Sequence, residues 1–295
     1  MKKIFSLIFS LAFLAFVASP AFAASTVIYN NIPSPQPGNL PSLGYEATQT
    51  FEFGGQVQFA DTNRNDPSVT VLMSSWGCES GHWNTGDCLT TPGATFSEPV
   101  TLNIYEVDAG NLPGAKIGTL TQTFNIPYRP SASATCGDGR WSDGTTCYNG
   151  FATPITFSLT GLILPDKVII GVAYNTSHYG ISPIGESAAC YISSGGCGYD
   201  SLNVAVIAPP SVGTLPFPDD VYLSNLGNTA LHLDSGWTGL QPAIKIEASA
   251  PLVSPANKDD CKKDGWKIFN NPTFKNQGDC VSSVQSSPKA VGNKK

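Results

Sequence analysis

Apolar and polar positions alternate along this chain in short runs of about four to eight residues, separated by Gly, Pro, Asn and Asp; that is the period of strands, not of helices. The most strand-like run is Lys167-Val-Ile-Ile-Gly-Val-Ala-Tyr174. Val168, Ile170, Val172 and Tyr174 share one face, and Ile169, Gly171 and Ala173 the other. A run apolar on both faces reads as a central strand covered on both sides. Its β-branched residues and Gly171 oppose a helix. It ends in Asn175-Thr-Ser-His-Tyr-Gly180, a polar and aromatic stretch read as a presented loop.

The same pattern places strands at Thr26–Tyr29, Ser68–Ser74, Val100–Val107, Thr119–Ile126, Pro154–Leu159, Leu202–Ile207, Val221–Leu223, Ala230–Leu233 and Ala243–Glu247. Phe51-Glu-Phe53 and Gln56-Val-Gln-Phe59 flank Gly54-Gly55, which reads as a hairpin with a primed turn. Ile32-Pro-Ser-Pro-Gln-Pro-Gly38 reads as an extended Pro-rich crossing. Ten to twelve such strands predict an all-β fold, an antiparallel two-sheet sandwich of jelly-roll type.

The ends are different. Lys2 and Lys3, an apolar run from Ile4 to Val17, and Ala21-Phe22-Ala23 form a secretory signal over residues 1–23. The run is too short to span a bilayer of about 30 Å. The sandwich is expected over 24–249, a linker over 250–258, a Cys-bridged basic tail over 259–285 and an unstructured end over 286–295. Charge marks the same division: residues 24–250 hold six Lys plus Arg against eighteen Asp plus Glu, net −12. Residues 251–295 hold eight Lys against four Asp, net +4. Nucleic-acid contacts need clustered cations, so the sandwich is not expected to bind nucleic acid. In the tail, Asn257 is expected to cap a short helix that ends at Gly265, and Cys261–Cys280 to staple two small helical turns around Trp266, Phe269 and Phe274. The tail's charge suits an anionic envelope polymer, or simply solubility.

With an export signal, eight Cys and no Cys-x-x-Cys pair, disulfides are expected. The sequence-local pairing is Cys78–Cys88, Cys136–Cys147, Cys190–Cys197 and Cys261–Cys280, one of 105 possible arrangements. The first two pairs form a near-repeat, Cys78-x4-Trp83-x4-Cys88 and Cys136-x4-Trp141-x5-Cys147. If strands alternate in direction from Ser68 onward, connections 77–99, 127–153 and 176–201 emerge at one end, and each holds a Cys pair. The short connections 108–118 and 161–166 hold none. Three stapled loops are therefore expected on one rim, with Trp83, Trp141, Tyr148, His178 and Tyr179 as a ligand-facing platform. The opposing reading folds each Trp inward as a plug over the core.

Catalytic motifs are not apparent. His82, His178 and His232 form no zinc motif, and there is no Gly-x-Ser-x-Gly elbow. Cys78-x3-His82-x5-Cys88 offers too few ligands for a metal once both Cys are oxidised. His232 reads as a strand residue with a satisfied nitrogen. Asp61-Thr-Asn63-Arg-Asn65-Asp66 has the alternating oxygens of a calcium loop without its Gly and terminal Glu, and a solvated turn fits better. No cofactor, metal or catalytic residue is assigned. The resulting expectation is a secreted non-catalytic module that binds a glycan or cell-surface component, without a transmembrane segment. An envelope structural protein, or a glycosidase-like hydrolase whose carboxylate pair the sequence does not single out, are the alternatives.

Ser34-Pro-Gln-Pro-Gly-Asn-Leu-Pro-Ser-Leu-Gly-Tyr-Glu-Ala-Thr48, Met73-Ser-Ser-Trp76, Phe124-Asn-Ile-Pro-Tyr-Arg-Pro130 and Ala173-Tyr-Asn-Thr-Ser-His-Tyr-Gly180 resemble segments of a group of uncharacterised secreted bacterial β-sandwich proteins. The resemblance covers most of the chain between the signal and residue 250. It implies export and a β fold, and supplies no site. Cys261 to Cys280 resembles a short tail found on diverse exported bacterial proteins, which likewise implies no role.

Overall fold

The computed structural model describes residues 25–81, 83, 86–174, 202–251 and 253–286. They fall into two compact units, a body within Ala24–Pro251 and a tail beyond it.

The body is an antiparallel two-sheet sandwich. Its strands are β1 (Ser25–Asn30), β2 (Ser42–Leu43), β3 (Thr50–Gln58), β4 (Asn65–Ser75), β5 (Thr95–Val107), β6 (Pro113–Pro127), β7 (Trp141–Ser142), β8 (Cys147–Tyr148), β9 (Phe151–Ser158), β10 (Lys167–Ala173), β11 (Leu202–Ala205), β12 (Asp220–Asn225), β13 (Asn228–Ser235) and β14 (Ile244–Ser249). One turn of helix, α1 (Tyr45–Thr48), lies between β2 and β3. In the first sheet β4 is central, with β9 on one flank. Along the other flank β14 pairs with its first half and β11 with its last residues. β1 then extends β14, and β2 extends β11. The second sheet runs β13-β12-β3-β10-β5-β6.

β10 is the central strand the sequence predicts. Val168, Ile170 and Val172 are fully buried in the core between the sheets, together with Phe53, Leu102, Ile104, Val71, Phe157 and Ile246. The outer face is covered too: Ile169 is fully buried there against Tyr105 and Tyr222. Two-sided burial explains why the sequence shows no polar positions in this run.

The expected Gly54-Gly55 hairpin is not formed. β3 is one continuous strand, and Gly54 lies opposite Gly171 in its middle. A Cβ at Gly54 would stand 2.3 Å from the Ile170 carbonyl oxygen, so this glycine serves close strand approach and not a turn. The missing hairpin shifts the strand count before β4 only, so the alternation from β4 onward holds. β4 to β5 and β6 to β9 are the long connections, and β5–β6 and β9–β10 the short ones at the opposite end.

Among the described residues three disulfides close: Cys78–Cys88, Cys136–Cys147 and Cys261–Cys280. Cys190 and Cys197 lie outside the described residues, as do residues 1–24.

In the tail, residues 258–264 form successive turns, with Lys262 N–H donating to Asp259 O and Gly265 N–H to Lys262 O. Gly265 opens a 3-10 turn (Gly265–Ile268), so the expected helix ending at Gly265 is replaced by tighter i to i+3 bonding. The helix of the tail is α2 (Gln277–Ser286), which the polar sequence concealed. Both segments start in the same way. Asn257 Oδ1 accepts from Asp259 N–H while Asp260 accepts from Asn257 N–H. Asn276 Oδ1 accepts from Asp279 N–H while Asp279 accepts from Lys275 N–H. Each box immediately precedes a Cys of the tail disulfide, and Phe269 packs beside both buried Cys with Trp266 and Phe274. Val253 and Ser254 bond to Asn270 and Asn271, so much of the stretch expected to be linker belongs to the tail itself.

Candidate functional site

The two described Cys loops meet at one rim. Arg129 N–H donates to Gly77 O at 2.9 Å, Ala132 N–H to Cys88 O at 3.0 Å and Thr90 N–H to Ser131 Oγ at 2.9 Å. The loop tips touch as well, since a Cβ on Gly139 would stand 2.5 Å from Trp83 O and 2.9 Å from Gly86 Cα. The Pro-rich crossing passes beside them, with Gly38 O accepting from Ala152 N–H. Six cations serve the body, and two of them, Arg129 and Arg140, sit in the second loop.

Trp141 is 5 % exposed. Its indole N–H donates to Gly150 O at 2.7 Å, and its ring packs on Tyr148 at 5.1 Å and edge-on to Phe151 at 5.5 Å. Gly38 must be Gly here, because a Cβ would meet Tyr148 Cε2 at 2.7 Å and Trp141 Cη2 at 2.8 Å. The expectation of an exposed Trp141 is thus corrected: the β7–β8 hairpin turns its indole inward, where it plugs the rim. Trp83 is half-buried and makes an edge contact with Trp76 at 4.8 Å. Tyr148 is half-buried and reaches the surface. His178 and Tyr179 lie outside the described residues, as does His82. His232 Nδ1 lies 3.0 Å from Ala230 O, in keeping with a strand residue whose ring is satisfied. Asp61 binds Thr62 N–H, Asn63 Nδ2 donates to Thr26 Oγ1, and Asp66 accepts from Gly161 N–H. Among the described residues no group of carboxylates, His and Cys is arranged to hold a metal.

Tyr148 opens onto a depression of about 410 Å³ lined also by Trp76, Arg140, Asn39, Leu40, Pro41 and Asn149. The aromatic wall is held by a polar cluster: Trp76 Nε1 donates to Ser74 Oγ at 3.0 Å, and Ser74 Oγ to Asn39 Oδ1 at 2.8 Å. Gly150 closes over that cluster. Arg140 Nε donates to Gly137 O, and its nearest carboxylate, that of Asp138, is 3.8 Å away, beyond hydrogen-bond reach. Among the described residues the terminal nitrogens of Arg140 therefore donate no hydrogen bond, and Arg140 lines the depression. Trp76, Arg140, Asn39 and Asn149 were not singled out as a site from sequence. Trp76 sits just before the first Cys, where the strand pattern of β4 already stops.

Two other depressions carry less chemistry. One of about 560 Å³ lies between Ile117–Leu120 and Ser158–Leu162, with neither charge nor aromatic ring. One of about 480 Å³ holds Glu79, whose carboxylate is taken up by Thr91 N–H.

Beneath the rim, Tyr45 and Tyr174 stack with centroids 4.1 Å apart. Their hydroxyls donate to the Val172 and Leu202 carbonyls. Burial pushes both phenols well above their ordinary range, helped by Glu52 at Tyr45 and by Tyr45, Glu98 and Glu46 at Tyr174. They stay neutral and serve packing. Arg129 is fully buried, donates from Nη2 to Gly139 O at 2.7 Å, and is lowered to about 10 by burial.

Set against family models, curated proteins and solved structures, the chain matches none of the three.

Proposed function

We propose that the chain is an exported, non-catalytic binding module that takes a glycan in the depression beside the Cys136–Cys147 loop. The observation that carries this reading is one cleft combining Tyr148 and Trp76 with two amides and a guanidinium whose terminal nitrogens donate no hydrogen bond to any described residue. Aromatic walls suit the apolar faces of sugar rings, and convergent amide and guanidinium donors suit ring hydroxyls. The disulfides and the buried Trp141 fix the loops before binding, which reduces the ordering cost of recognition. Three disulfides fit an oxidising compartment, and no described helix is long and apolar enough to cross a membrane.

A glycan array on the protein, followed by calorimetry on any sugar retained, tests the proposal. Arg140→Ala and Asn149→Ala should each weaken binding about tenfold, 1.4 kcal/mol, while melting stays near the parent's. A blank array, or a sugar whose affinity ignores both substitutions, overturns it.

A further inference from the structure

Among the described residues the sheet edges of the body are guarded, with one exception. β1 breaks register between Val27 and Tyr29, and its outer side is occupied, Asn30 exchanging backbone bonds with Ser211 and Val212. β9 carries an exposed Pro154 mid-strand, which has no N–H to offer. The ladder of β13 breaks between Leu223 and Asn225, and Asp234 adds a charge. β2 is two residues long. Bulges, Pro, charge and shortness are the devices by which edges are kept from pairing.

β6 has none of them where it matters. From Gly118 to Pro127 it pairs with β5 in unbroken register, with no charged residue and with Pro only at the last position. Thr119, Thr121, Thr123 and Asn125 share the outer face and are exposed, while Leu120, Phe124 and Ile126 pack toward the core. Thr121 Oγ1 already bonds Thr101 Oγ1 across the sheet at 2.7 Å.

We propose that this edge pairs with the same edge of a second copy, antiparallel about a two-fold axis at Thr121. The sequence is self-complementary about that point. Thr119-Leu-Thr-Gln-Thr123 would place Thr121 opposite itself, each Thr119 opposite the partner's Thr123, and Leu120 opposite Gln122. Three Thr–Thr pairs result, a pairing that stabilises antiparallel strands. That symmetry, not charge, selects a second copy as occupant: two bodies of net −12 repel, and the contact is placed on a strip that carries no charge. An isologous contact of this kind closes on itself as a dimer instead of growing into a fibre.

Two variants on one edge test the geometry. Directly opposed residues on antiparallel strands lie about 4.5–5.5 Å apart, within disulfide reach. Thr121→Cys should therefore cross-link two copies on mild oxidation. Thr123→Cys, displaced by four residues or about 13 Å from its own symmetry mate, should not. A mixture of Thr119→Cys and Thr123→Cys should cross-link again. In parallel, sedimentation equilibrium of the protein should show a monomer–dimer equilibrium. Thr121→Lys sets like charges face to face and should weaken it at least about tenfold, with circular dichroism unchanged. A parent that sediments as monomer throughout, Thr123→Cys cross-linking as readily as Thr121→Cys, or undiminished association of Thr121→Lys would each overturn the proposal.

Discussion

The carboxylate of Glu52 on β3 lies across Gly171 of β10: a Cβ added to Gly171 would stand 2.0 Å from Glu52 Oε1. From there it accepts from Asn103 Nδ2 at 3.0 Å and from the Tyr105 hydroxyl at 2.9 Å, both on β5. One carboxylate thus ties three strands of the second sheet together on its outer face. The absence of a side chain at Gly171 is what admits it.

Gly171→Ala should consequently destabilise the body by about 1–3 kcal/mol, the usual cost of inserting a methyl group into a filled site. The same substitution made in Glu52→Ala should cost much less, because the clashing carboxylate is gone. Urea unfolding of the two single variants and the double variant measures the coupling. Equal costs in both backgrounds would show that the Glu52 contact is not what excludes a side chain.

Trp141→Ala removes a ring held on Tyr148, Phe151 and Gly38, together with its bond to Gly150 O. A loss of about 3–5 kcal/mol in chemical denaturation is expected, as for other large-to-small changes in a core. An exposed platform residue would leave the midpoint almost unmoved.

These two sites mark what was legible from sequence. The two-sided apolar run of β10 announced its burial, and strand alternation placed both described Cys loops at one rim. The end at which a connection emerges depends on strand number, which small errors in strand ends leave unchanged. Gly54-Gly55 misled because a glycine pair reads the same in a turn and in a strand whose neighbours approach closely. Only the partner, Gly171, distinguishes them, and it lies more than a hundred residues away. Trp141 offered no local signal of its direction, since the β7–β8 hairpin that turns it inward is two residues per strand. The cleft residues come from three separate segments, around Asn39, Trp76 and Arg140–Asn149, and sequence spacing does not reveal that they converge.

Asp143 supplies a prediction in pH. Its Oδ1 accepts from Thr146 N–H, Thr145 N–H and Thr145 Oγ1, each at 2.8 Å, inside the Cys136–Cys147 loop. Those bonds favour the ionised form, those from the Thr146 and Thr145 amides foremost, and lower the carboxyl from 3.8 to about 2. Because the folded value lies below the unfolded one, the turn's contribution is complete above pH 3.8 and fades as pH falls through about 2. An NMR titration of the Asp143 carboxyl carbon should show its midpoint near 2. A midpoint at the ordinary value would mean that the turn does not persist in solution.

The tail yields the most demanding test of what holds it together. Its described part runs from 253 to 286, which is 34 residues. Its core is Cys261, Cys280 and Phe269, with Trp266, Phe274, Val281 and Val284 around them. Below about 40 residues an apolar core alone rarely overcomes chain entropy. The Cys261–Cys280 bond spans 19 positions and, by removing loop-closure entropy from the unfolded chain, contributes about 3 kcal/mol. The two Asn-Asp boxes add about 1 kcal/mol each through their caps. The crosslink therefore outweighs either cap, and replacing both Cys by Ala should melt α2 while Asn276→Ala only loosens it. Hydrogen exchange of the amides from Cys280 to Ser286 separates the cases. Near-complete loss of protection is expected in the double Cys variant, against a loss of about fivefold, equivalent to 1 kcal/mol, for Asn276→Ala. Protection retained without the disulfide would show that packing around Phe269 suffices.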